Sequence, residues 1–184
     1  MPRTALVSAE RSALLLIDLQ ERLLPHIHEG NEALAAALWL TRIARRLSVP
    51  VVASEQYPKG LGPTAPALRE LLRDEEIVEK VHFSCVAEGC LVPHAVWGRA
   101  QFVVAGTETH VCVLQTALGL LAEGKDVFVV ADAVGSRRQR DRDLGIARMR
   151  DAGAQVVSRE MVAFEWLGRA GTDVFREISR DYLR

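Results

Sequence analysis

Gly106-Thr107-Glu108-Thr109-His110-Val111-Cys112-Val113 joins two apolar runs of different character. Before it, Phe102-Val103-Val104-Ala105 is short, β-rich and closed by Gly106, the pattern of a buried strand. After it, Leu114 to Leu121 is long, rich in Ala and Leu, and followed by Gly124, the pattern of a helix with its stop signal. Cys112 therefore falls in the first turn of a helix that follows a parallel-type strand. Unpaired N–H groups and the positive end of the helix dipole lie there, and both stabilise a thiolate. A lone cysteine is more often a small buried hydrophobe. What the rest of the chain places beside Cys112 decides between the two readings.

Working outward, Ala13 to Ile17 is a continuous apolar run closed by Asp18. Unbroken hydrophobicity suits a strand covered on both faces, as in a parallel sheet. Asn31 to Leu47 reads as an amphipathic helix with Asn31 as N-cap. Val49 to Ala53 is a second strand. Ser54 to Pro63 holds Pro58, Gly60, Gly62 and Pro63 and reads as a loop, with Thr64 capping a short helix through Leu72. Glu76 to Glu79 is a weak third strand followed by Lys80, and a helix is expected between Cys90 and Gly98. Asp126 to Ala131 and Ala154 to Val157 complete six strands, and Arg140 to Ala152, Met161 to Leu167 and Thr172 to Leu183 read as helices.

Strands alternating with helices at this spacing predict an α/β fold with a largely parallel sheet and helices on both faces. Ligands of such sheets bind at the carboxyl ends of the strands, near the point where strand order reverses. Asp18, Lys80 and Cys112 all follow strands. An acid, an ammonium and a thiol thus share one edge of one sheet, which favours a reactive cysteine.

The totals set limits. The chain has 184 residues, which suits a single domain over 1–184. Net charge is −1 with bases and acids interleaved, so nothing argues for nucleic acid. Three cysteines without paired spacing fit a reducing cytoplasm better than a disulfide framework. No signal peptide is read at the N-terminus, and no apolar run approaches a membrane span.

Leu16-Ile17-Asp18-Leu19-Gln20, Glu79-Lys80-Val81-His82-Phe83-Ser84, Gly106 to Val113 and Ala131-Asp132-Ala133-Val134-Gly135-Ser136-Arg137 together resemble the isochorismatase-like hydrolase superfamily, over about Ala13 to Gln155. The resemblance implies a three-layer α/β/α, Rossmann-like fold with a six-stranded, largely parallel sheet. It implies a catalytic triad of Asp18, Lys80 and Cys112. It also implies a non-proline cis peptide at Thr107-Glu108, which turns the Glu108 N–H toward the same spot as the Cys112 N–H. Two such donors form an oxyanion hole, worth about 3 kcal/mol each in a transition state. Lys80 and the helix dipole are expected to lower the thiol pKa, with Asp18 as general base.

Cys112 favours the thiol-hydrolase branch of that family over the isochorismatases proper. Nicotinamidases of the family hold a metal through Asp and His on the loop after the second strand. Here Ser54 to Gly62 contains neither, so no metal and no cofactor are expected. The implied activity is hydrolysis of a small amide or other C–N bond through a covalent acyl intermediate. An idle scaffold of the same fold and a redox thiol protein are the alternatives. Gln20, Gln56, Tyr57 and Phe83 are candidate substrate contacts. His110 is read as a rim residue, and Cys85 and Cys90 as structural thiols. Phe164 and Trp166 are candidates for a subunit contact, since the family commonly forms homo-oligomers.

Overall fold

The structure, a computed structural model, describes residues 5–183. Six strands form one all-parallel sheet: β1 (Ser12–Ile17), β2 (Val51–Gln56), β3 (Ile77–Lys80), β4 (Gln101–Thr107), β5 (Asp126–Gly135) and β6 (Gln155–Val157). Their order is β3-β2-β1-β4-β5-β6, so strand order reverses between β1 and β4. The helices are α1 (Gly30–Arg46), α2 (Pro58–Leu61), α3 (Pro66–Arg69), α4 (Cys85–Glu88), α5 (Leu114–Ala122), α6 (Gln139–Asp151), α7 (Arg159–Leu167) and α8 (Asp173–Tyr182).

The unbroken apolar run of β1 serves two cores at once. Leu14 and Leu16 face one cluster, with Ala36 and Leu40 of α1, Val162 of α7 and Ile178 of α8. Ala13, Leu15 and Ile17 face the other, with Cys85, Ala117 of α5 and Met149 of α6. Alternate side chains point to opposite faces of a strand, so burial on both faces requires an apolar residue at every position. Leu14 to Ile17 are all fully buried, each worth about 2 kcal/mol in area removed from water.

The elements depart from the sequence reading in four informative places. β2 runs on to Gln56, through residues expected to be loop, because β3 pairs alongside it with Gln56 opposite Lys80. Thr64 caps no helix: its N–H and hydroxyl both donate to the buried Glu55 carboxylate, at 2.6 and 2.7 Å. Of the helix expected between Cys90 and Gly98 only a short 3-10 turn forms, Ala95–Gly98, and an α-helix comes earlier, at α4, where the Ser84 hydroxyl accepts from the Val86 and Ala87 N–H groups. Glu29, in the left-handed region, precedes α1, so Asn31 is not its cap.

Trp166 is part of the core rather than a subunit contact: it is buried, and its indole N–H donates to Ser12 Oγ at 2.9 Å. Phe164 and Met161 are half exposed. Among the described residues no helix is long and apolar enough to cross a membrane.

Gly106 of β4 packs directly against the Ile17 backbone of β1. Its φ is +138°, and a Cβ there would lie 2.1 Å from the Ile17 carbonyl oxygen. Neither backbone can yield without breaking the pairing of Ile17 with Gly106. Gly106→Ala is therefore expected to cost about 3 kcal/mol or more. A urea melt checks this, with a midpoint within error of wild type as the outcome that rules the clash out.

Candidate active site

β1 and β4 flank the point of strand reversal, and Asp18 and Glu108 follow them directly. Asp18, Tyr57 and Glu108 each take positive φ, at 52°, 38° and 55°. All three stand immediately after strands of one sheet edge. Left-handed backbone at a non-glycine costs about 1 kcal/mol or more and persists where neighbours enforce it.

Three strands enforce it at Asp18. Its N–H donates to the Ser54 carbonyl at 3.1 Å, and its carbonyl accepts from Thr107 Oγ1 at 2.6 Å. Its Oδ1 accepts from Ser54 Oγ at 2.7 Å and its Oδ2 from Lys80 Nζ at 2.9 Å. Lys80 lies on the edge strand β3, so its side chain crosses β2 to reach the end of β1. The Lys80 and Asp18 side chains are wholly buried. Burial draws the Lys80 pKa down, but the Asp18 carboxylate and the Cys112 sulfur more than offset this. The ammonium is held above its usual range and stays charged.

Cys112 is 3% exposed. Its thiol donates to Gln56 Oε1 at 3.8 Å, and the same oxygen accepts from Lys80 Nζ at 2.6 Å. Thiol, amide, ammonium and carboxylate thus form one buried chain. The expected lowering of the thiol pKa is not found. Burial pushes the thiol up, the Asp18 charge adds to this, and Lys80 pulls the other way without prevailing. The resting group is a neutral thiol, which makes a nearby base necessary for any nucleophilic role.

This predicts how stability varies with pH. Unfolded, the thiol ionises near pH 8.5 and a lysine near 10.4. Folded, both hold their protons to higher pH, so the unfolded chain binds fewer protons there. Stability is full below about pH 8.5 and falls above it, by up to about 1.4 kcal/mol per pH unit for each group. Melting temperatures from pH 7 to 10 should show the decline beginning near 8.5, and Cys112→Ala should delay it. A wild-type profile that stays flat through pH 10 excludes this linkage.

The turn carrying Cys112 differs from expectation. Among the described residues there is no cis peptide bond, so Thr107-Glu108 is trans. The chain reverses instead through left-handed Glu108 followed by one π-helical turn, Thr109–Val113, leading into α5. The Glu108 carbonyl accepts from Val111 and Val113 N–H at 2.8 and 3.3 Å. Gly145 of α6 lets that helix close on the turn: a Cβ there would lie 3.0 Å from His110 Cα. π-turns of this kind are frequent at functional sites.

Glu108 Oε1 lies 3.0 Å from Arg137 Nε. Its Oε2 is buried without a hydrogen-bond partner, 3.6 Å from His110 Nδ1. His110 Nδ1 pairs with Ser136 Oγ at 3.0 Å.

The four candidate substrate contacts separate. Gln20 is fully buried and acts as a staple: its amide donates to the Gln56 and Gly62 carbonyls and accepts from the Gln56 N–H. Those bonds commit its side-chain amide to neighbouring backbone groups. Gln56 is buried in the polar chain described above. Tyr57 is half exposed and, with Pro58, Lys59, Val81 and Glu88, lines a cavity of about 290 Å³ that also touches Lys80. Phe83 is half exposed on the neighbouring loop. Glu88 ties down that loop by accepting from the Val81 and His82 N–H groups. These bonds, led by His82, hold its carboxyl at about 2. Larger hollows lie elsewhere on the surface, among them one of about 480 Å³ beside Asp132 and one of about 590 Å³ beside Asp126.

Sequence reasoning missed Ser54 and Thr107, which orient Asp18. Their signal was present: both are hydroxyl residues at the carboxyl ends of strands adjoining β1. Cys85, read as a structural thiol, sits close to this group. It is fully buried, accepts a hydrogen bond from Cys90 at its carbonyl (3.5 Å), and lies in the field of Asp18 and Lys80.

A doubly wound α/β sheet with an acid, an ammonium and a thiol gathered at its switch point defines the class of protein. Residues 12–161 match the Isochorismatase domain, and the chain belongs to that family. It is 37% identical to the mouse isochorismatase domain-containing protein 2A over 174 residues, 93% of this chain and 82% of that protein. The structure of the MAR1 ribonuclease of Caenorhabditis elegans matches with a TM-score of 0.90 and 36% identity, over 98% of this chain and 93% of that one. YcaC of Pseudomonas aeruginosa, solved with hexane-2,5-diol and covalent acrylamide, matches at 0.87 and 30%, over 96% and 91%. YcaC of Escherichia coli, described as an octameric hydrolase of unknown specificity, matches at 0.85 and 29%, over 92% and 85%. Membership supports hydrolase chemistry in general.

Proposed function

We propose that the chain is a cysteine-dependent hydrolase of a small amide or related C–N bond, with Cys112 as nucleophile, Asp18 as acid and base, and Lys80 as their counter-charge. The observation that carries this is the buried Lys80–Asp18 pair sharing Gln56 with the Cys112 thiol. A charge pair taken wholly out of water costs several kcal/mol in desolvation, and function is a common reason for keeping one.

The thiol passes its proton to Asp18, and the sulfur lone pair adds to the substrate carbonyl carbon. The negative charge that forms on the carbonyl oxygen is assigned to N–H groups of the turn, with Cys112 and Glu108 as the candidates, although the trans Thr107-Glu108 peptide removes the cis bond that was expected to converge them. The tetrahedral adduct collapses. The C–N bond breaks, and the leaving amine takes the proton from Asp18. Water then attacks the thioester with Asp18 again as base, releasing the acid and restoring the thiol. Tyr57 lines the cavity that touches Lys80, and Phe83 is half exposed on the neighbouring loop. A planar acyl group stacks well on either ring.

The covalent acrylamide of the Pseudomonas relative is in keeping with this reading, since acrylamide is an electrophile that nucleophiles capture. The octameric Escherichia relative supports a homo-oligomer, which would also cover the half-exposed Met161 and Phe164. Three free cysteines suit a reducing cytoplasm.

The test is a panel of small amides, with a labelled RNA included because one relative is described as a ribonuclease. Release of acid and amine by wild type but not by Cys112→Ala supports the proposal. RNA cleavage that survives Cys112→Ala, with no amide turned over, overturns it.

A further inference from the structure

Gln56 ends β2, level with Lys80. Its backbone is pinned by Gln20, which accepts from its N–H at 2.8 Å and donates to its carbonyl at 3.1 Å. Its side-chain oxygen accepts from Lys80 Nζ at 2.6 Å, and its side-chain nitrogen donates to the Val81 carbonyl at 2.8 Å. An ammonium can only donate and a carbonyl can only accept. Turning the amide over would set NH₂ against the ammonium and oxygen against the carbonyl. The orientation is therefore fixed by its neighbours.

The remaining neighbour of that fixed oxygen is Cys112 Sγ, at 3.8 Å. An acceptor held there meets S–H favourably and faces a thiolate with its lone pairs. Lys80 has the opposite preference, because its charge favours the thiolate. The two residues are joined through one atom and bias the sulfur in opposite directions.

We infer that Gln56 is a positioning residue for the nucleophile: it keeps Cys112 as a neutral thiol with its S–H directed at Oε1, and with the same oxygen aims the Lys80 ammonium between Asp18 and Cys112. This replaces its earlier reading as a substrate contact, and rests on Cys112 as the reactive thiol of the proposed function. For attack, the S–H turns from Gln56 to Asp18. The proton moves from sulfur to carboxylate, the S–H pair stays on sulfur, and Lys80 is its counter-ion. The other groups that act on the sulfur are Asp18 after β1 and Lys80 on β3, each by its charge and by a side-chain hydrogen bond, and Cys85 at the start of α4 lies in the field of the same pair. On the π-turn itself, the Glu108 and His110 side chains are engaged with Arg137 and Ser136.

The test is the rate of Cys112 alkylation by iodoacetamide against pH, read peptide by peptide by mass spectrometry so that Cys85 and Cys90 are separated. Wild type is compared with Gln56→Met, which removes the acceptor at similar length, and Gln56→Glu, which adds a charge to it. Gln56→Met should lower the pH midpoint by about one unit, with roughly tenfold faster labelling at neutral pH. Gln56→Glu should raise the midpoint by about as much and slow labelling accordingly. A packing role would move both variants the same way or neither, and either result overturns the inference. If Gln56→Glu does not fold by circular dichroism, Gln56→Met decides alone, and an unchanged or raised midpoint overturns it. Alkylation needs no substrate. Opposite shifts in a protein that hydrolyses no amide would uphold Gln56 and sink the amidase reading. A Cys112 inert in all three proteins overturns both.

Discussion

Cys112→Ala should abolish amide hydrolysis, lowering kcat by about 10⁴-fold or more while leaving the fold intact. A nucleophile that forms the covalent intermediate has no substitute, and loss of one member of such a set removes most of the catalysis above binding and oxyanion stabilisation. The side chain is small and lies in the apolar cluster with Ile17, Val113 and Ile146. Its replacement by alanine removes one sulfur and costs the core about 1 kcal/mol. Steady-state kinetics and a thermal melt on the same preparation separate the two effects. Turnover within tenfold of wild type would mean that another group attacks the substrate. Cys85 is the nearest candidate, being a second buried thiol in the field of Lys80.

Lys80→Met should act on both activity and stability. The variant keeps most of the side chain's length, one heavy atom short, and removes its charge. Asp18 is then left wholly buried with one donor, Ser54 Oγ, on its carboxylate. An uncompensated buried charge costs about 3–5 kcal/mol, or roughly 10 °C in Tm for a chain of this size. The loss should depend on pH in a defined direction. Without Lys80, the buried carboxylate has no counter-charge, and that cost disappears once the acid takes up a proton. The destabilisation is therefore greatest where carboxylates are ionised and is relieved in acid. The gap in Tm between variant and wild type should therefore narrow as pH falls toward 4. Asp18→Asn combined with Lys80→Met should regain part of the stability and none of the activity. A double variant no more stable than Lys80→Met would mean that the charge of Asp18 is not what the lysine compensates.

Much of this arrangement could be read from the chain. β1 and β4 announce themselves because a strand covered on both faces must be apolar at every position, and Leu14 to Ile17 and Phe102 to Ala105 are. Asp18 and Cys112 follow from those strands, since residues just past such runs reach the carboxyl edge of the sheet. Lys80 was legible as a strand-end charge, but its reach was not. That depended on β3 pairing with β2 rather than with β1, and strand order is set by packing across the sheet.

The failures have local causes. Ser54 to Gln56 looked like loop because Pro58, Gly60 and Gly62 follow closely. Hydrogen bonds from β3 and Gln20 carry the strand through them. Gln56 could not be assigned from sequence because its role depends on which of its two side-chain atoms faces Lys80. The thiol pKa went the wrong way because the helix start was weighed without burial, and burial is the largest influence on Cys112. The turn itself solved its geometry with left-handed Glu108 and a π-turn, and short-range sequence pattern does not distinguish that from an ordinary helix start.

The most direct test of Cys112 as nucleophile is to catch the intermediate. Wild type is mixed with an amide it turns over, quenched in acid within milliseconds, digested and analysed by mass spectrometry. The peptide containing Cys112 should gain the mass of the acyl group, the label should disappear as substrate is exhausted, and Asp18→Asn should form little of it. Product released with no acyl group on Cys112 at any time, or with the label on Cys85, would rule out the mechanism.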